Sequence, residues 1–184
     1  MNWFSKKGKE IDKMPINMEP SEFLLHAVEF LHNEALKKGF AQKGFILNEG
    51  LLSVGTPSII EGLKSEPQKT KRTNSFYLSL AASNLQTGII FARALCTNRQ
   101  DFISGIFFEK HDSIESMYNE LLIALKEDLH ITIQEWNSFR EFIVPKLLSL
   151  LAPYSSLKNV EIYQQKALTA YYLLGVSIGL EKYE

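Results

Sequence analysis

Cysteine is almost missing from this chain. Cys96 is the single one in 184 residues, so no internal disulfide can form, and a reducing compartment such as the cytoplasm is the expected setting. An excess of either charge is missing too. The formal net charge is -1, so nothing global draws the chain to nucleic acid or to an anionic membrane. The sequence has no glycine-rich phosphate loop, no nucleophile elbow and no paired-cysteine metal motif. MNWFSKKGKEIDKM carries lysines without an apolar run behind them, which argues against a secretory signal. There is no fixed-period repeat, low-complexity tract or dividing linker.

Acidic residues are missing from residues 75–96, SFYLSLAASNLQTGIIFARALC, where Arg93 is the one charge. The stretch is about long enough to span a bilayer. Asn84, Gln86 and Arg93 lie inside it, and an arginine near a bilayer centre costs roughly 2.5–3.5 kcal/mol. The uncharged run 167–180 is too short to span. Both therefore predict buried helices of a soluble protein.

What is present is helical periodicity. Leu24, Ala27, Val28, Leu31 and Ala35 recur at helical spacing. Ser21 is the expected N-cap, and Gly39 the stop. Asn74 or Ser75 should cap the helix over 75–97. Ile114, Met117, Tyr118, Leu121, Leu122 and Leu125 form the next stripe, opened by Asp112 or Ser113. Thr132 and Glu135 have capping-box spacing. The helix behind them presents Ile133, Trp136, Phe139, Ile143, Leu147 and Leu151, with Pro145 expected to kink it and Pro153 to end it. A last helix over 158–182 carries Gly175 and Gly179 on one face, where another backbone should come close. Tyr171 and Tyr172 are adjacent, so only one of them is expected deep in the core.

The fold class is all-α: one helical domain over 20–184, with about five to seven helices around a buried central helix at 75–97. A flexible leader over 1–19 precedes it. Strands at 45–47 and 51–54 would make a short β-hairpin, and a frayed helical turn is the alternative.

Three functional readings follow. The first is a cytoplasmic adaptor or regulatory protein without catalysis and without cofactor. Its apolar surplus would be covered by a second copy, as a homodimer, or by a partner subunit. The second is a helical bundle with a small ligand beside the central helix. Ser79, Ser83, Gln86 and Arg93 run along that helix at near-helical spacing and would supply polar groups to an apolar pocket. The third is a metal enzyme. Glu29 with His32, and Glu127 with His130, are two Glu-x-x-His pairs, half of a di-iron carboxylate set. The carboxylate-free run over 76–96 withholds the other half. Cys96, in an apolar run, reads as a small buried hydrophobe. His111-Asp112, the basic run 64–72 and the acidic surplus over 109–141 complete the candidates.

Overall fold

The computed structural model describes residues 18–41, 73–96 and 114–181, with the backbone alone at 114–117. The described chain forms α1 (Pro20–Lys37), α2 (Asn74–Cys96), α3 (Ile114–Ile123) with a π-helical turn (Ala124–Asp128), α4 (Ile133–Ile143), α5 (Lys146–Leu151), a 3-10 turn (Ala152–Tyr154) and α6 (Val160–Leu180). No strand occurs among the described residues. Residues 1–17 of the leader, the hairpin region at 45–54, the basic run 64–72 and the His111-Asp112 pair lie outside them.

Several helix ends follow from local chemistry. Thr132 and Glu135 form the capping box in full: Glu135 N–H donates to Thr132 Oγ1 at 3.2 Å, and Thr132 N–H to Glu135 Oε2 at 2.8 Å. Gly39 takes φ +73°, and the Phe40 N–H reaches back to the Ala35 carbonyl, which closes α1 as a Schellman motif. The start of α1 differs from expectation. Glu19, not Ser21, is the N-cap, and Pro20 is the first helical residue. Proline suits that position, because its missing N–H would have no partner there and its φ is already helical. At α2 the cap is Thr73, whose Oγ1 lies 3.4 Å from the Phe76 N–H, rather than Asn74 or Ser75.

The central place belongs to α6, not to the helix over 75–97. From Ala167 to Val176 every residue of α6 is buried, and it packs most extensively on α2 and next on α1. In α2 the burial is concentrated from Ala81 to Ala94, while Asn74, Ser75, Ser79 and Ser83 are exposed. Absence of charge is not burial: serine and asparagine are neutral and at ease in water. Tyr118 and Ile133, read onto buried stripes, are 45% and 51% exposed. Each sits within a turn or so of its helix's start, where the stripe has not yet reached the core.

Helices α2 and α6 run in the same direction. Tyr77 donates to Gln164 at 3.0 Å, Asn84 Nδ2 lies 3.5 Å from the Leu168 carbonyl, and further along Gly88 faces Tyr172 and Val176 while Ala92 faces Gly179. The contact uses a small-residue step on both helices, Gly88/Ala92 against Gly175/Gly179. A Cβ on Gly175 would run into the Leu85 carbonyl, and one on Gly88 into the Tyr172 carbonyl. The backbones therefore touch. The expected approach at Gly175 and Gly179 is present, and the matching step on α2 is its other half.

Both Tyr171 and Tyr172 are buried, at 0% and 1% exposure. A helix surrounded on all sides can bury neighbours that point apart. Their hydroxyls fare differently. Pro145 splits α4 from α5 and disturbs the local hydrogen bonding. Tyr171 Oη donates into this break, 2.7 Å from the Ile143 carbonyl and 3.0 Å from that of Val144. Tyr172 Oη is buried and has no hydrogen-bond partner among the described residues. Tyr171→Phe is thus expected to lose about 1–3 kcal/mol, the cost of an unsatisfied buried carbonyl. Tyr172→Phe should be neutral or stabilising. Urea unfolding of the two variants side by side checks the contrast.

Glu34 ties α1 to α5. Its Oε1 is 2.6 Å from Lys37 Nζ, its Oε2 is 3.2 Å from Lys146 Nζ, and its side chain is 11% exposed. Burial alone would raise this carboxyl. The two lysines outweigh burial and hold it below the ordinary value. A lowered folded pKa lends stability above the unfolded value of about 4.3, which is lost as pH falls through the folded value. Glu34→Gln is therefore expected to be less stable than the parent at pH 7. The gap should close as pH falls below about 4 in acid-unfolding curves.

Candidate functional site

The most densely charged place in the described structure is where the C-terminal part of α2 meets α3 and its π-turn. Arg93, on α2, is surrounded by three carboxylates. Its Nη1 is 3.1 Å from Glu120 Oε2, its Nη2 is 3.5 Å from Glu127 Oε2, and its Nε comes within 2.5 Å of Asp128 Oδ2. The last contact is a close ion pair whose angles do not make a hydrogen bond. The guanidinium is mostly sheltered, as are Glu120 and Asp128, whereas Glu127 is 62% exposed.

The π-turn brings both Glu127 and Asp128 to one cation. In an α-helix residues 120 and 127 share a face, and residue 128 turns away by about 100°. A π-turn holds one more residue, which lets the next position catch up. Leu129 N–H accordingly donates to the Ala124 carbonyl five residues back. His130 closes this turn with φ +51°, a left-handed position usually taken by glycine. Its Nδ1 lies 3.3 Å from the Lys126 carbonyl, where a protonated nitrogen donates. Cys96, three residues beyond Arg93, is partly buried. Burial and then the Asp128 charge raise its thiol above the ordinary value, which keeps it protonated and weakly nucleophilic.

The residues of the two Glu-x-x-His pairs do not meet as a metal set. Glu29 is exposed, His32 is buried, Glu127 faces Arg93, and His130 faces a carbonyl. Among the described residues no group of three or more His, Cys, Asp or Glu side chains is placed to hold a metal ion. His26, between the exposed Glu22 and Glu29, has its pKa lowered by burial, against the pull of Glu29. No helix among the described residues is long and apolar enough to cross a membrane.

The polar residues along α2 separate into two places. Ser83 is exposed and Gln86 half-buried. Arg93 belongs to the carboxylate cluster. Ser79 lines an open cleft of about 340 Å³ between α2 and the α4–α5 kink, together with Leu78, Ala82, Arg140, Glu141, Val144 and Pro145. Sequence reading missed Arg140 and Glu141 as cleft residues. The available signal was Pro145, which marks a bend in the wall.

No protein-family model, curated protein or solved structure matches the chain.

Proposed function

We propose that this protein is a non-enzymatic adaptor or regulatory subunit of the cytoplasm, acting through contacts with a second copy of itself or with a partner subunit. The observation that carries the reading is apolar exposure on the two helices that the ion cluster joins. Leu95 is 40% exposed on α2, and Tyr118 is 45% exposed on α3. The Arg93–Glu120 ion pair joins their helices. An exposed leucine and an exposed aromatic on two joined helices are ingredients of an interface anchor. Light scattering after gel filtration tests the self-association form. A mass of twice the 21.0 kDa chain, falling to one chain in Leu95→Glu/Tyr118→Glu, supports it. A monomer that also recovers no partner from native extract overturns the reading.

A second reading, a ligand-binding helical bundle, is supported by the cleft beside Ser79. It places the pocket on the N-terminal half of α2, a few turns from Arg93.

A further inference from the structure

We infer that the cleft between α2 and the α4–α5 kink binds a small zwitterion with an apolar side chain, an apolar α-amino acid. The inference rests on the ligand-binding reading. Leu78, Ala82, Val144 and Pro145 supply an apolar lining, and Ser79, Arg140 and Glu141 supply its polar groups. The volume of about 340 Å³ lies at the lower end for small-molecule sites, which fits a ligand of amino-acid size.

Charge selects within that size. Arg140 makes no ion pair and no side-chain hydrogen bond among the described residues, and neither does Glu141. This contrasts with Arg93, whose charge three carboxylates already answer. The cleft thus offers one open cation and one open anion. A phosphate or a simple fatty acid would answer Arg140 and meet repulsion from Glu141; an amine would do the reverse. A zwitterion answers both, with its carboxylate on the guanidinium fork and its ammonium on the Glu141 side. The kink adds an acceptor. Pro145 has no N–H for the Glu141 carbonyl four residues back, so that carbonyl lacks its helical donor. An ammonium group has three N–H bonds to give.

The test is ¹H–¹⁵N NMR titration of the full chain with five probes: L-phenylalanine, 3-phenylpropionate, phenethylamine, N-acetyl-L-phenylalanine amide and toluene. Saturable shifts confined to the cleft-lining residues are expected for phenylalanine, with Kd on the order of 1 mM, as suits an open cleft. The two singly charged analogues should bind at least about tenfold more weakly, the worth of one lost charge-assisted contact. Arg140→Gln should weaken phenylalanine by a similar factor and leave phenethylamine unchanged; Glu141→Gln should weaken phenethylamine and leave phenylpropionate no weaker. Both side chains reach solvent at the rim, so the folded spectrum should survive. Phenylpropionate or the blocked amide binding as well as phenylalanine would overturn the zwitterion assignment while keeping a ligand site. Shifts with toluene alone would do the same. No cleft shift with any probe would overturn both the assignment and the ligand-binding reading.

Discussion

Gly175→Ala is expected to lower stability by about 3 kcal/mol or more, because overpacking against backbone cannot be relieved by a rotamer change. The sign is the informative part. In an exposed helix the same change gains up to about 1 kcal/mol. Here the new methyl would collide with the Leu85 carbonyl, and relief requires α2 and α6 to separate along their seam. Gly88→Ala meets the Tyr172 carbonyl and the Val176 nitrogen, the latter at 2.7 Å, and should cost as much. For a chain of this length the melting temperature should fall by about 6–12 °C. Gly179→Ala is the graded member. Its obstacle is the Ala92 Cβ at 2.5 Å, a side-chain atom. Moving the methyl across the seam, as Gly179→Ala with Ala92→Gly, should recover most of the loss. Thermal and urea unfolding followed by circular dichroism reads all four. A Gly175→Ala protein as stable as the parent would show that the two backbones do not meet.

That seam separates what was legible in the sequence from what was not. Caps and breaks are decided within about five residues, so Gly39, the Thr132–Glu135 box and the Pro145 kink could be read directly. Gly175 and Gly179 announced a close approach, but their partner step at Gly88 and Ala92 became readable only with the register of α2 on α6. The identity of the central helix was hidden for a related reason. Residues 75–96 and 167–180 are both poor in charge. Exposed Ser75, Ser79 and Ser83 make the first of these amphipathic at its start, and hydropathy alone weighs them lightly. The arginine cluster lies further from reach. The acidic surplus over 109–141 was visible, but periodicity assumes 3.6 residues per turn, and the π-turn at Ala124–Asp128 breaks that assumption where Asp128 joins Glu127. The cleft depends on a kink bringing α4 and α5 toward α2, a contact between segments over 50 residues apart that no local pattern encodes.

Arg93→Met should be the most damaging of the charge substitutions, at roughly 3 kcal/mol or more, the cost of stranding sheltered partners of a removed charge. Arg93 is 14% exposed, Glu120 21% and Asp128 17%, so water can answer the two carboxylates only in part. Methionine keeps much of the stem and removes the charge, which separates electrostatics from packing. The three carboxylates do not carry equal weight. Glu127 is largely in solvent and 3.5 Å away, so Glu127→Gln should change stability by no more than about 0.5 kcal/mol. Glu120→Gln and Asp128→Asn should each cost more than that, and neither as much as Arg93→Met, because the arginine keeps the remaining partners. The decisive variant is the neutral set, Arg93→Met with Glu120→Gln and Asp128→Asn. If stranded charge is the cause, the set recovers much of the loss of Arg93→Met alone, since removing a sheltered ion group entire is often close to neutral. If the set is no more stable than the single substitution, stranded charge is not the cause, and Arg93 holds α2 to the π-turn through the guanidinium contacts that methionine cannot make. The interface reading separates from both outcomes. A neutral set that folds and still dimerises leaves docking to Leu95 and Tyr118, whereas one that folds as a monomer makes the exposed charges part of the contact.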